Sequence, residues 1–137
     1  MTFKFEKLEV WQMSLEYSDL IYEIAKQLPG HERFNLASQI ISATTSISLN
    51  IAEGSTGQSD PEQNRFLGMA VRSLIETVAC QRLIVRRKYT VDQSLLDKID
   101  LSAQELAKRI FAFRKSLQNP NRKSIAEEST EYDTDLF

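Results

Sequence analysis

Cysteine, histidine and the turn-forming residues are all scarce in this chain. One Cys in 137 residues, Cys80, excludes an internal disulfide framework and a multi-cysteine zinc site. One His, His31, leaves little for histidine-based metal ligation or a nucleophile–base triad. Four Gly and three Pro are too few for the many turns of a sandwich or barrel. A long apolar run is also missing. The opening MTFKFEKLEVWQ holds no signal-peptide core. The longest stretch without charge, Phe34 to Ala52, carries Asn35, Ser38, Gln39, Ser42, Thr44, Thr45, Ser46, Ser48 and Asn50, which is too polar for a bilayer. These absences point to a soluble, cytoplasmic protein.

What is present is an ordinary globular balance of 42% hydrophobic and 26% charged residues, enough to bury one core without staples. The net charge of -2 is unevenly spread. Residues 119–137 set Arg122 and Lys123 against Glu127, Glu128, Glu131, Asp133 and Asp135. The body before them is left near neutral, without a general attraction for nucleic acid, although a local basic patch can still act. The chain thus divides into a body, 1–118, and an acidic tail, 119–137, expected to be disordered. The tail's Leu136-Phe137 is its one candidate docking feature.

Four segments show helical periodicity, and none reads as a strand. In the first, about Leu8 to Leu28, the spacing puts Leu8, Trp11, Leu15, Ser18, Tyr22 and Ala25 on one face, and Pro29-Gly30 stops the helix. In the second, about Glu32 to Gly54, Ala37, Ile40, Thr44, Ile47 and Ile51 form one seam. Asn35, Ser38, Ser42, Thr45 and Leu49 form a second, uncharged seam. A surface helix normally shows a charged outer face. This one does not, so it is expected to be covered on more than one side, by its own chain or by another subunit.

The third segment opens with Ser59-Asp60-Pro61-Glu62, which supplies a capping oxygen, a first-turn proline and acids at the positive dipole end. Phe66, Ala70, Leu74 (or Val71), Val78 and Val85 give its stripe, and it is expected to end near Lys88 or Tyr89. The fourth starts near Asp92. Ile99, Ala103, Leu106, Ile110, Phe113 and Leu117 alternate steps of four and three, and Asn119-Pro120-Asn121 stops it. Short connections make successive helices antiparallel neighbours. The expected fold is all-α, an antiparallel up-down-up-down four-helix bundle.

Several stretches resemble the bacterial ribosomal RNA intervening-sequence proteins, a family of four-helix bundle proteins. Phe5-Glu6-Lys7-Leu8-Glu9-Val10-Trp11-Gln12 is similar to the family's opening, and Leu36-Ala37-Ser38-Gln39-Ile40 to its second helix. Ser46-Ile47-Ser48-Leu49-Asn50-Ile51-Ala52-Glu53-Gly54 resembles its S-I-P-S-N-I-A-E-G stretch. Phe66-Leu67 and Ser73-Leu74-Ile75-Glu76 resemble its third helix. The likeness runs from residue 3 to about 117 and leaves out the tail. Ser48 stands where the family usually has proline, Leu49 where it has serine, and Arg72 where it often has a small residue. Without the proline, the second helix is expected to be straighter here. The resemblance implies a ring-like homo-oligomer, typically a homopentamer, linked to RNA. It also implies kinship with accessory proteins of diversity-generating retroelements, whose rings bind nucleic acid and a reverse transcriptase. It implies no catalytic residue.

The candidate sites follow. Asn50, Glu53 and Gly54 are the tightest motif cluster. They could hold a ligand or a partner's Arg, but the structural reading is favoured: Gly54 as a helix C-cap and Glu53 paired with a cation. Glu76 could face Glu53, yet it is expected to pair with Arg72 or Arg82. A di-iron bundle needs Glu-x-x-His pairs on two helices, and one His rules that out. The best functional candidate is the basic set Arg65, Arg72, Arg82, Arg86, Arg87 and Lys88 for nucleic acid. Its plainer reading is cations at a helix C-terminus. Arg109, Arg114 and Lys115 could extend it. Asn35, Ser38, Ser42, Thr45 and Leu49 are the candidate oligomer interface. His31 reads as a loop or cap residue, Cys80 as a small buried hydrophobe, and Trp11, Phe3 and Phe5 as packing at the bundle end. No catalytic, cofactor or metal residue is indicated. The expectation is a non-enzymatic, ring-like homo-oligomeric scaffold or accessory factor linked to RNA or an RNA-processing partner. The alternative is a protein that binds nucleic acid directly through the basic set. No membrane partner is expected.

Overall fold

The computed structural model describes residues 2–57 and 59–119. The tail, including Leu136-Phe137, lies almost wholly outside them. Four helices carry the fold: α1 Glu9–Lys26, α2 Leu36–Gly54, α3 Asp60–Arg86 and α4 Gln93–Leu117. Short 3-10 turns at Lys4–Lys7 and Gly30–Glu32 precede α1 and α2, and there is no strand among the described residues. None of the helices there is long and apolar enough to cross a membrane.

The ends of the helices follow from local chemistry. Ser59 Oγ accepts from Glu62 N at 3.2 Å, so the predicted cap of α3 is in place, with Pro61 in the first turn. Asp92 Oδ1 accepts from Ser94 N at 2.9 Å and caps α4. α2 begins four residues later than the periodicity predicts. Glu32 closes a 3-10 turn instead, and its Oε1 accepts from Asn35 Nδ2 at 2.9 Å and from Leu36 N at 3.5 Å. A carboxylate at that position also meets the positive end of the α2 dipole. α2 then runs unbroken through Ser48. α3 stops at Arg86, and Lys88 follows in the left-handed region, with φ 60°.

The core is a single cluster fed by all four helices. α4 contributes Ile99, Ala103, Leu106, Ile110 and Phe113 as its spacing predicts, and Leu117 is partly buried. α2 contributes Ile40, Thr44, Ile47 and Ile51. The α1 stripe is different from the predicted one. Leu8 and Ala25 are buried, but Leu15 and Tyr22 are exposed, and Val10, Ser14, Tyr17, Ile21 and Ile24 fill the core. α1 carries two apolar stripes about one residue, or 100°, apart, and its own core takes the β-branched one. In α3, Val85 is exposed, while Leu67, Thr77, Gln81 and Ile84, outside the predicted stripe, are buried.

Hydroxyl pairs join the helices. Ser14 Oγ meets Ser48 Oγ at 2.8 Å and Ser18 Oγ meets Thr44 Oγ1 at 2.8 Å. Ser73 Oγ donates to Ser46 Oγ at 2.9 Å, and Tyr17 OH meets Thr77 Oγ1 at 2.7 Å. Numbers therefore rise along α1 as they fall along α2. They do the same between α3 and α4, where Arg114 Nε donates to Asn64 Oδ1 at 2.7 Å and Arg82 Nη1 to Asp100 Oδ1 at 3.0 Å. Ser48, where a proline would remove a helix hydrogen bond, uses its side chain for the Ser14 contact.

Gly54 is the last residue of α2, and Ser55 follows as the cap, so the C-cap reading of Gly54 is corrected. A Cβ on Gly54 would lie 2.7 Å from Phe66 Cβ. The glycine is there because α2 and α3 approach closely as they meet.

Candidate functional site

Three surfaces hold the residues singled out above. The first is the outer face of α2. Ser38, Ser42 and Thr45 are exposed, and Leu49 is 53% exposed, so no other described helix covers this uncharged seam. Asn35 is exposed at its start, in the N-cap position of α2 but with its side chain donating to Glu32. An open groove runs along the face, lined by Ile41, Ser42, Thr45, Ser46, Leu49, Asn50 and Glu53. Asn50 Nδ2 donates to Ser46 O at 2.9 Å and to Ser46 Oγ at 3.0 Å, which holds its amide against its own helix. Glu53 is exposed at the groove's end and has no ion pair among the described residues, which corrects its expected cation partner. Leu15 and Tyr22 of α1, exposed at 39% and 44%, belong to the flank of α1 that turns toward α2, as Ser18 between them shows by bonding to Thr44. The two stripes that the core leaves out therefore flank a common edge of the molecule.

The second surface lies where the chain enters α1 and passes from α2 to α3. Phe5 meets Trp11 edge-on with ring centroids 4.7 Å apart, and Phe3 stacks on Phe5 at 6.2 Å. Phe3 N donates to Glu6 Oε2 at 2.6 Å. The aromatics thus pack at the bundle end as the sequence reading favours, with Phe3 still 60% exposed. A cleft beside them is lined by Phe3, Phe5, Ala52, Glu53 and Thr56.

The third surface is the opposite end, where Glu32 joins the two helix connections. Tyr89 OH donates to Glu32 Oε2 at 2.6 Å. The hydroxyl has one proton to give, so His31 Nε2, 3.0 Å away, donates to the tyrosine oxygen. The two rings meet edge-on at 5.7 Å. Hydrogen bonds from Tyr89 first, and Asn35 next, hold the Glu32 carboxyl below the ordinary carboxylate range. The Tyr89 hydroxyl is pushed up by the same contact. Gln27 Oε1 accepts from Asp92 N at 2.8 Å and ties the end of α1 to the start of α4. Sequence reading missed Glu32. Its partner lies 57 residues away, and only the Pro29-Gly30 stop beside it marked the position.

The basic set does not converge. Arg65 is near the start of α3, ion-paired to Glu62, with its guanidinium 4.7 Å from the Phe66 ring. Arg86 is 21 residues further on, which is about 32 Å along a helix. Arg72 is exposed midway. Arg82 pairs with Asp100, and Glu76 is exposed with no ion pair among the described residues, which corrects its expected pairing with Arg72 or Arg82. Arg109 pairs with Glu9 at 2.6 Å and Arg114 binds Asn64, so both serve as ties between helices far from Arg86. Arg86, Arg87 and Lys88 do lie together, exposed, beside Tyr89. Cys80 is buried, and burial pushes its thiol up, away from nucleophilic use. No cluster of three or more His, Cys, Asp or Glu that could hold a metal occurs among the described residues.

Comparison with known proteins adds a family to this geometry. The family model described as 23S rRNA-intervening sequence protein matches residues 6–112. A solved structure from Bacteroides thetaiotaomicron, described as a protein with unknown function from the S23 ribosomal protein family, is similar at a TM-score of 0.68. The two chains are 27% identical, over 77% of this chain and 95% of that one. No curated protein matches.

Proposed function

Since the chain belongs to the 23S rRNA-intervening sequence protein family, we propose that it is a non-enzymatic, homo-oligomeric scaffold or accessory factor linked to RNA or an RNA-processing partner. Its unit is an antiparallel up-down-up-down bundle, a reading supported by the crossed contacts between successive helices. Copies assemble into a ring, pentameric in this reading, as the resemblance to the intervening-sequence family implies.

One observation carries the assembly: the uncharged outer face of α2 is open along its length, and Leu15 and Tyr22 stand exposed beside it. Charge-free helix faces of this extent are uncommon on a monomer's surface. Small hydroxyl residues let another backbone come close, as Ser14–Ser48 and Ser18–Thr44 do between helices inside the chain. The occupant is a second copy of the chain. A head-to-tail contact closes into a ring when its rotation divides the circle. Chemical cross-linking at micromolar concentration tests this: the reading expects a ladder that ends at five chains, and a single band at 15.7 kDa would reject it.

A second reading, direct nucleic-acid binding through the basic end of α3, is favoured by Arg86, Arg87 and Lys88, which have no ion pair among the described residues. In a ring, each cluster would recur by symmetry, and weak single patches would add to an avid surface.

A further inference from the structure

Phe34 is the most exposed large apolar side chain described, at 87%. It makes no contribution to the core, and the guanidinium of Arg33 lies 5.2 Å from its ring centroid. An aromatic ring so placed costs solubility and offers a flat face.

Its position in the fold gives it neighbours. Phe34 follows directly on the turn that His31 and Glu32 pin to Tyr89, and Tyr89 follows directly on Arg86, Arg87 and Lys88. The left-handed turn at Lys88 ends α3 and delivers Tyr89 to Glu32. The Tyr89 bonds therefore fix Arg33-Phe34 and Arg86-Arg87-Lys88 on one end of the molecule. The acids of this end accept hydrogen bonds from neutral donors and ion-pair with none of these cations among the described residues. Glu32 is capped by Tyr89 and Asn35, Asp92 accepts from Ser94, and Asp97 accepts from Gln93. The four cations are exposed and have no ion pair among the described residues. The helix dipole accounts for Arg86, Arg87 and Lys88 at the end of α3, but not for Arg33, which precedes the positive end of α2.

We propose that this end is a single-stranded nucleic-acid site, in which Phe34 stacks on an unpaired base and Arg33, Arg86, Arg87 and Lys88 hold the flanking phosphates. Stacking on an exposed ring needs a base face that is free, which a duplex hides within its own stack. The site deepens the RNA part of the function proposed above and stands apart from the assembly part.

The test is fluorescence anisotropy of the full chain with a labelled oligouridylate of about ten nucleotides, within the span of ordinary single-strand sites. With four phosphate contacts, affinity falls roughly fiftyfold between 50 and 200 mM salt. Phe34→Ala weakens binding about tenfold with the salt slope unchanged, and Phe34→Trp restores it. Arg86→Glu with Arg87→Glu abolishes it, while Lys4→Glu with Lys7→Glu at the other end leaves it intact. No binding at 50 mM salt, equal affinity of Phe34→Ala and the parent, or a duplex that binds as tightly would each overturn the site. The mass of each sample is measured alongside. A Phe34→Ala chain with altered mass and unaltered binding would reassign the ring to a subunit contact. A monomer that binds would keep this site and defeat the assembly, and an oligomer that does not bind would do the reverse.

Discussion

α2 and α4 bury nearly the same inner pattern and present opposite outer chemistry. α4 turns Ile99, Leu106 and Ile110 inward and leaves Asp97, Lys98, Glu105 and Lys115 in water. α2 turns Ile40, Ile47 and Ile51 inward and leaves Ser38, Ser42, Thr45 and Leu49 outside, with no charge between Arg33 and Glu53. Intrachain packing explains the inner half of both helices. It explains the outer half of α4 alone, because charge there keeps the face solvated. The outer half of α2 has the composition of a contact surface, and no other described helix covers it.

The largest effect should come from charging that face. Leu49→Asp should reduce the particle to a single chain in light scattering, whereas Glu105→Arg on the outer face of α4 should leave its mass unchanged. Next, Leu106→Ala in the α4 seam should cost about 3 kcal/mol in denaturant unfolding, because a fully buried side chain leaves a cavity. Leu101→Ala on the same helix, at a residue 59% exposed, should change stability by less than about 0.5 kcal/mol.

Gly54→Ala sets helix propensity against space. Alanine gains about 1 kcal/mol in a helix, but its Cβ would meet a Cβ fixed to the α3 backbone, an overpacking of about 3 kcal/mol. The net loss, about 2 kcal/mol, should appear in the unfolding midpoint. Smallest is Tyr17→Phe, which removes the Thr77 contact for about 1 kcal/mol at neutral pH. Burial pushes the Tyr17 hydroxyl up to about 12, against an ordinary 10.0. Between those values the unfolded chain releases the proton and the folded chain keeps it, so stability falls as pH rises through the window. Tyr17→Phe should flatten that fall in alkaline unfolding curves.

The four helices, the α3 cap and the α4 seam were legible because each rests on residues close in sequence. The α1 stripe was not. Leu15 and Tyr22 follow helical spacing as faithfully as Tyr17 and Ile21, and periodicity counts apolar positions without saying which partner they meet. The middle of the stripe chosen from sequence, Leu15 to Tyr22, marks the flank toward the open α2 face, while its ends, Leu8 and Ala25, lie in the core. Glu32 escaped for a different reason: nothing local distinguishes a carboxylate that will accept from a tyrosine 57 residues away. The basic set failed as one surface because residues on one helix can stand at its opposite ends, as Arg65 and Arg86 do. Arg33, absent from that set, joins Arg86–Lys88 through the Tyr89 contacts.

The most direct measurement is the absolute mass of the purified chain by light scattering behind a sizing column, at low and high salt, with the ultraviolet absorbance ratio recorded. A mass near five times 15.7 kDa at both salts, with co-eluting nucleic acid lost at high salt, is the expected result. A mass of 15.7 kDa at micromolar concentration would contradict the reading of the α2 face as a subunit contact.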